Sequence, residues 1–310
     1  MGFQVWGQFV GWPELMDAGR DIERLGFDSL WSNDHFYPAA GAPRGPVFEG
    51  WMTLAGWAAI TRRVRMGCLV SGAGYRNPAL LVKMATALDH LSGGRVVLGL
   101  GAGWHELEHR AFGFPFPAVS GRLQRLDEAA GIVRGLLEGR SVTATGRWCS
   151  AEDAVNEPPP LQSRMPLLIG GSGERKTLRT VARYADIWNG EGDAATIRRK
   201  IDVLAQHCRD VGRAPGAIAV TVGLPTPLVR DSDVTARDAL VEILERHGMP
   251  SGEARASATS SPFATTAAGL AERLSEYRAA GVEEVIFDLP APFDTMTLSK
   301  LAEIRAALVG

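Results

Sequence analysis

Apolar residues recur along this chain in two patterns: short runs that suit buried strands, and longer stretches at helical spacing. FQVWGQ (3–8) leads into the amphipathic PELMDAGRDIERLG (13–26), where Pro13 is placed for a first helical turn. DSLWSN (28–33) is followed by a loop rich in Ala, Gly and Pro over 38–46, then by FEGWMTLAGWAAIT (48–61), which predicts a helix. VRMGCLV (64–70) precedes NPALLVKMATALDHLSGG (77–94), with Pro78 near its start and two glycines at its stop. RVVLGLG (95–101) is a fully apolar strand candidate ending in glycine. PLLIG (166–170), ADIWNG (185–190), AIAVTVGL (217–224) and EEVIFDL (283–289) supply four more. Eight strand candidates, most followed by a helix, predict an α/β fold of the (β/α)8 barrel type, with its site at the C-terminal strand ends. A doubly wound open sheet would want a phosphate fingerprint after the first strand, and QVWGQFVGWP is not one.

Three segments exceed a minimal barrel. Residues 104–118 and 139–165 lengthen the connection after the fourth strand; 248–265 is small and polar, and predicts a mobile excursion in the strand 7–8 region. All three are expected to be loops on a single barrel domain spanning 1–310.

Composition narrows the function classes. A net charge of −2 leaves no electrostatic footprint for nucleic acid or an anionic membrane. No apolar run approaches the roughly 18 residues that span a bilayer, and the N-terminal stretch lacks the basic region of a secretory signal. Cys68, Cys149 and Cys208 are widely spaced and form no metal pattern, which leads us to expect a reduced, cytoplasmic setting. None of the four lysines (Lys83, Lys176, Lys200, Lys300) lies at a strand end, which argues against a Schiff-base aldolase. The first strand offers no histidine pair for a binuclear metallohydrolase.

Candidate chemistry gathers at strand ends. FDSLWSNDHF (27–36) closes on Asp34 and His35; a solvated loop start and a catalytic position both fit the pair. Strand alternation needs only one of the two to face a site, and histidine is the better proton carrier near neutrality. Gly99, Gly101 and Gly103 clear side chains from the end of the fourth strand, either for a ligand or for tight packing. Trp104, His105, Glu106, Glu108 and His109 follow; they are not in the zinc-protease pattern, and most of their charges are expected on a solvated helix face. Gly170, Gly171, Ser172 and Gly173 lead into a helix expected near Glu174, an arrangement that can bind an anion through free amides.

Together FDSLWSNDHF, FEGWMTLAGWAAITRRVRMGCLV, NPALLVKMATALDHLSGGRVVLGLGAGW, IGGSGERKTLRTVARYADIWN and AERLSEYRAAGVEEVIFDLP resemble the luciferase-like monooxygenase superfamily over nearly the whole chain. Asp-His at the second strand resembles the branch that uses the 8-hydroxy-5-deazaflavin coenzyme F-420; members using FMN more often end that strand in Glu-His-His. The resemblance implies a hydride-transferring oxidoreductase acting on a small-molecule substrate, and commonly a homodimer. It implies His35 near the reactive carbon, with Asp34 beside it, and a bulge at Leu69–Val70, often a non-prolyl cis peptide, behind the ring. It also implies Gly101, Ala102, Gly103 and Trp104 near the cofactor, and Gly170, Gly171, Ser172 and Gly173 around its phosphate. Sugar-phosphate dehydrogenases of that branch carry a glutamate where this chain has Trp104, so a sugar phosphate is not the expected substrate. An FMN-dependent monooxygenase and a non-catalytic flavin- or deazaflavin-binding protein are the alternatives on the same fold.

Overall fold

The computed structural model describes residues 1–309. Its strands are β1 (Gly2–Val5), β2 (Ser29–Ser32), β3 (Arg65–Cys68), β4 (Ser71–Gly72), β5 (Leu98–Gly101), β6 (Val142–Thr145), β7 (Ser150–Ala154), β8 (Leu167–Gly170), β9 (Ile187–Gly190), β10 (Ala219–Leu224), β11 (Leu228–Val229), β12 (Ala264–Thr265) and β13 (Glu284–Leu289). Nine of these form one sheet in the order β3-β2-β1-β13-β10-β9-β8-β5-β4. Within it, the paired strands run parallel. β3 and β4 are two pieces of one interrupted strand: the first pairs with β2 and the second with β5. A parallel bridge between Met66 and Val96 draws β3 against the approach to β5 and closes the ring. Counting β3 and β4 as one gives the eight strands expected from the apolar runs.

Strand alternation sorts the core into two layers. Trp31, Val97, Leu168, Ile187 and Ile286 cluster inside the barrel. Their sequence neighbours Leu30, Leu98, Leu167, Trp188 and Phe287 face outward into the larger cluster shared with the helices. With both faces covered, the strands need continuous apolar runs, which is why they stand out in the sequence. The helices begin and end where local chemistry dictates. Asn77 accepts from the amides of Ala79 and Leu80 at the head of Pro78–Ser92, and Gly93 ends that helix in the left-handed region. A Cβ on Gly19 would collide with the Trp57 ring, whose Nε1 donates to Leu15 O at 2.9 Å; this joins the first two helices.

The insertions carry more structure than expected. Residues 104–118 contain the short helix Glu106–Ala111, and 139–165 contain the antiparallel hairpin β6–β7. The stretch 248–265 is not a loose excursion. It forms the helix Ser251–Ser260, which buries Ala254 and Ala258, and its end supplies β12, which pairs with β11. Ala254 and Ala258 stand four residues apart, one face of a helical turn, and that spacing outweighs the polar composition.

The loop after β2 is tied across the barrel mouth. Gln8 accepts from Ala39 N at 2.9 Å and donates from Nε2 to Ala40 O at 3.0 Å. His247 Nε2 donates to Ala291 O at 2.6 Å, which leaves Nδ1 to accept from Gln8 Nε2 at 3.0 Å. Ala42 N donates to His247 O, and a Cβ on Gly41 would collide with that oxygen.

Candidate active site

The C-terminal ends of the barrel strands surround a cavity of about 780 Å³, a size suited to a cofactor and a small substrate. β2 ends at Ser32, so alternation stops there, and both Asp34 and His35 line the cavity. Asp34 is buried; its Oδ2 accepts from Arg76 Nη1 at 2.6 Å and from Gly72 N at 3.2 Å. Arg76 also bridges to Glu49 at 2.5 Å. Burial pushes the Asp34 carboxyl upward, against the pull of Arg76. Its Oδ1 is enclosed without a partner.

His35 is held by Glu108, a residue whose charge the sequence places on a solvated face. Its Nδ1 lies 3.0 Å from Glu108 Oε2, and Glu108 is fully buried, as is His109 at 1% exposure. The expectation of a solvated face is therefore wrong for these two. The short helix folds over the exit of β2, where Glu108 Oε1 accepts from the amides of Phe36 and Tyr37 at 2.8 and 2.9 Å. Those amides leave the sheet and would otherwise lack partners. Tyr75 donates its hydroxyl to Glu108 Oε2 at 2.6 Å. Burial alone would raise the Glu108 carboxyl; the hydrogen bond and the charge of His35, with the hydrogen bonds from Tyr75 and the Tyr37 amide, outweigh it and hold the group down at about 2. A carboxylate can only accept, so His35 Nδ1 donates and neutral His35 presents Nε2 as its free acceptor. Trp104, 59% exposed at the cavity mouth, packs edge-on against His35 with centroids 5.3 Å apart.

The peptide between Leu69 and Val70 is cis, and both residues line the cavity. Gln4 Nε2 donates to Leu69 O. Val70 explains two glycines: a Cβ on Gly101 would collide with its Cγ2, and one on Gly170 would come within 2.9 Å of its Cγ1. A Cβ on Gly99 would run into Cys68 O. At Gly99 and Gly101 the packing explanation is thus sufficient, although Gly101, Ala102 and Gly103 all border the cavity.

Gly170 and Gly171 border it too, with Thr177; Ser172 and Gly173 do not. Gly171 adopts φ +126°, and Trp188 Nε1 fixes its carbonyl at 2.9 Å. Residues 174–176 form a turn, so the helix begins at Thr177, later than Glu174. Among the described residues, no main-chain amide from Ser172 to Lys176 donates a hydrogen bond. Free amides behind a glycine turn fit a phosphate group, and the orphaned Asp34 Oδ1 fits a hydrogen-bond donor on a ring lying in the cavity.

Asp288, at the end of β13, was also missed. Burial pushes its carboxyl up to about 7; the charge of Glu191 adds to this, and a 3.3 Å bond from Trp6 Nε1 opposes it. Among the described residues no lysine or arginine lines the cavity, whereas Asp34, Glu191, Asp193 and Asp288 do. No group of three or more His, Cys, Asp or Glu among the described residues is placed to hold a metal ion, and no described helix is long and apolar enough to cross a membrane.

Known proteins share this architecture. An F-420-dependent glucose-6-phosphate dehydrogenase of Microbacterium testaceum is 34% identical over 187 residues, covering 60% of this chain. The chain spans only 54% of that relative's length. The coenzyme F-420-dependent tetrahydromethanopterin reductase of Methanopyrus kandleri superposes with a TM-score of 0.79 at 17% identity, covering 98% of this chain and 97% of its own. An F-420-dependent secondary alcohol dehydrogenase, solved with an F-420–acetone adduct, gives 0.79 at 20% identity and 99% coverage of both chains. At these identities the two structures speak for the fold. Residues 5–293 match the sequence profile of the luciferase-like monooxygenases, and the chain belongs to that family.

Proposed function

We propose that this chain is an oxidoreductase that binds coenzyme F-420 in the barrel mouth and transfers a hydride between it and a small organic substrate. The observation that carries the reading is the His35–Glu108 pair, with His35 on the cavity wall and Glu108 buried behind it. Leu69, Val70 and the 101–103 segment would border the coenzyme's ring, and the free amides after Gly171 would take its phosphate. When bound, the coenzyme supplies a two-electron hydride donor or acceptor. The protein supplies the proton. Neutral His35 accepts one at Nε2 from a substrate hydroxyl or amine, and protonated His35 returns it in the reverse direction. Glu108 keeps Nδ1 protonated and stabilises the imidazolium that forms.

The carboxylates that line the cavity favour an uncharged or cationic substrate. Among the described residues no lysine or arginine lines it, so a phosphorylated sugar would find no such cation there. Trp104, in place of the glutamate of sugar-phosphate dehydrogenases, agrees with this.

Titration of the purified chain with F-420 and with FMN tests the reading. It should be followed by turnover of alcohols, imines and activated alkenes while oxygen consumption is monitored. Tight F-420 binding with turnover and no oxygen uptake is expected. Oxygen uptake with reduced FMN would make the chain a monooxygenase, and failure to bind F-420 would overturn the proposal.

A further inference from the structure

A second cavity, of about 330 Å³, lies beside the first and shares Tyr75 as a wall. Arg125, on the helix Val119–Leu137, faces it and is only 7% exposed. Among the described residues, the Arg125 guanidinium makes no ion pair and no hydrogen bond, and its Nε is enclosed without an acceptor. The Trp148 ring lies against it, its centroid 5.0 Å from Cζ. The contrast with the other buried arginine is sharp. Arg134 donates to Asp186 at 2.5 Å and to Tyr184 O at 2.9 Å. Glu128, three positions further along the same helix, is committed to the amides of Trp148 and Cys149 at 2.8 and 3.0 Å.

A buried guanidinium without a counter-charge is costly, and an aromatic face offsets only part of that cost while leaving the N–H fork unsatisfied. The fork matches the two oxygens of a carboxylate or phosphate. Asn77 and Ser150 also line the cavity, and Gly74 keeps its wall clear: a Cβ there would come within 2.9 Å of Arg125 Nη1.

We propose that this cavity is an oxyanion site, with Arg125 as the counter-charge for a carboxylate or phosphate group. The group can arrive as a free small anion or as the acidic end of a ligand lodged in the main cavity.

The test compares thermal unfolding of the full chain and of Arg125→Met in low-salt buffer without oxyanions. Arg125→Met is expected to be at least as stable as the parent there. Adding phosphate or malonate should raise the melting temperature of the parent and leave the variant unmoved, with affinities differing at least about tenfold by calorimetry. If neither free anion acts, F-420 is compared with its chromophore lacking the phosphate and acidic tail. An Arg125-dependent gain for F-420 alone identifies the second source. If Arg125→Met does not fold, Trp148→Phe is used, and the loss of an anion-dependent fluorescence change reports the same site. Equal response of parent and variant to every anion would overturn the proposal. F-420 binding in the parent, read separately from ring fluorescence, keeps this result distinct from the fate of the proposed function.

Discussion

Glu108 Oε2 stands 3.0 Å from His35 Nδ1, across 73 positions of sequence, and the same carboxylate collects the Tyr75 hydroxyl and two main-chain amides. One buried anion therefore fixes the tautomer of the proposed proton carrier and also the shape of the loop that presents it.

Glu108→Gln keeps the shape and removes the charge. Turnover should fall roughly 10–100-fold, the scale on which histidine-orienting partners act. The carboxyl is held at about 2, below its ordinary value, so its contribution to stability is present above about 4.5 and lost as pH falls toward about 2. Urea melts of parent and variant should thus differ most at neutral pH and converge in acid. A gap that widens in acid would contradict the assignment.

His35→Ala should lower turnover by roughly 10²–10⁴-fold, the range of a general acid or base, with a much smaller change in cofactor affinity. His35→Asn should flatten the pH dependence of turnover near neutrality. Asp34→Asn should be milder if Asp34 only organises Arg76 and the Gly72 amide. Steady-state kinetics across pH decide all three.

Gly171→Asp should weaken cofactor binding at least tenfold, about 1.4 kcal/mol, by setting a carboxylate against the proposed phosphate position. Gly171 has φ +126°, and an added Cβ would stand 3.3 Å from Thr177 Cγ2, so any side chain there carries strain. Gly171→Ala measures that strain alone. Fluorescence titration should show Asp weaker than Ala; equal losses would remove the phosphate from this turn.

Asp288 has a carboxyl raised to about 7 from its ordinary value of about 3.8, so its stabilising contribution is full below about 3.8 and is lost as pH rises through about 7. Asp288→Asn should consequently stabilise the protein at pH 8 more than at pH 4. Melting temperatures at the two values check the sign.

The barrel was legible because its strands are buried on both faces and advertise themselves as unbroken apolar runs. The lining of the candidate site was legible where a strand ends in unusual residues, as at Asp34–His35 and Gly170–Gly171. Glu108 is expected from the sequence on a solvated face, and is buried instead, for a physical reason. Its helix, Glu106–Ala111, is too short to show a period, and its partner His35 is brought near only by barrel closure. Asp288 sat in plain view at the end of EEVIFDL, but nothing local signals that β13 delivers it into a cavity beside Glu191. The helix over 251–260 could have been found from Ala254 and Ala258, had their spacing been weighed above the surrounding serines.

The tie among Gln8, Ala40, Ala42, His247 and Ala291 bears on how this chain can diverge. A longer loop over 38–46 would have to carry Gly41 away from His247 and thereby unseat the end of the helix Asp233–Arg246 as well. Length is therefore frozen on this side of the mouth. Directed evolution of what enters the barrel should proceed here through exchange of outward side chains such as the exposed Arg44, and not through inserted residues.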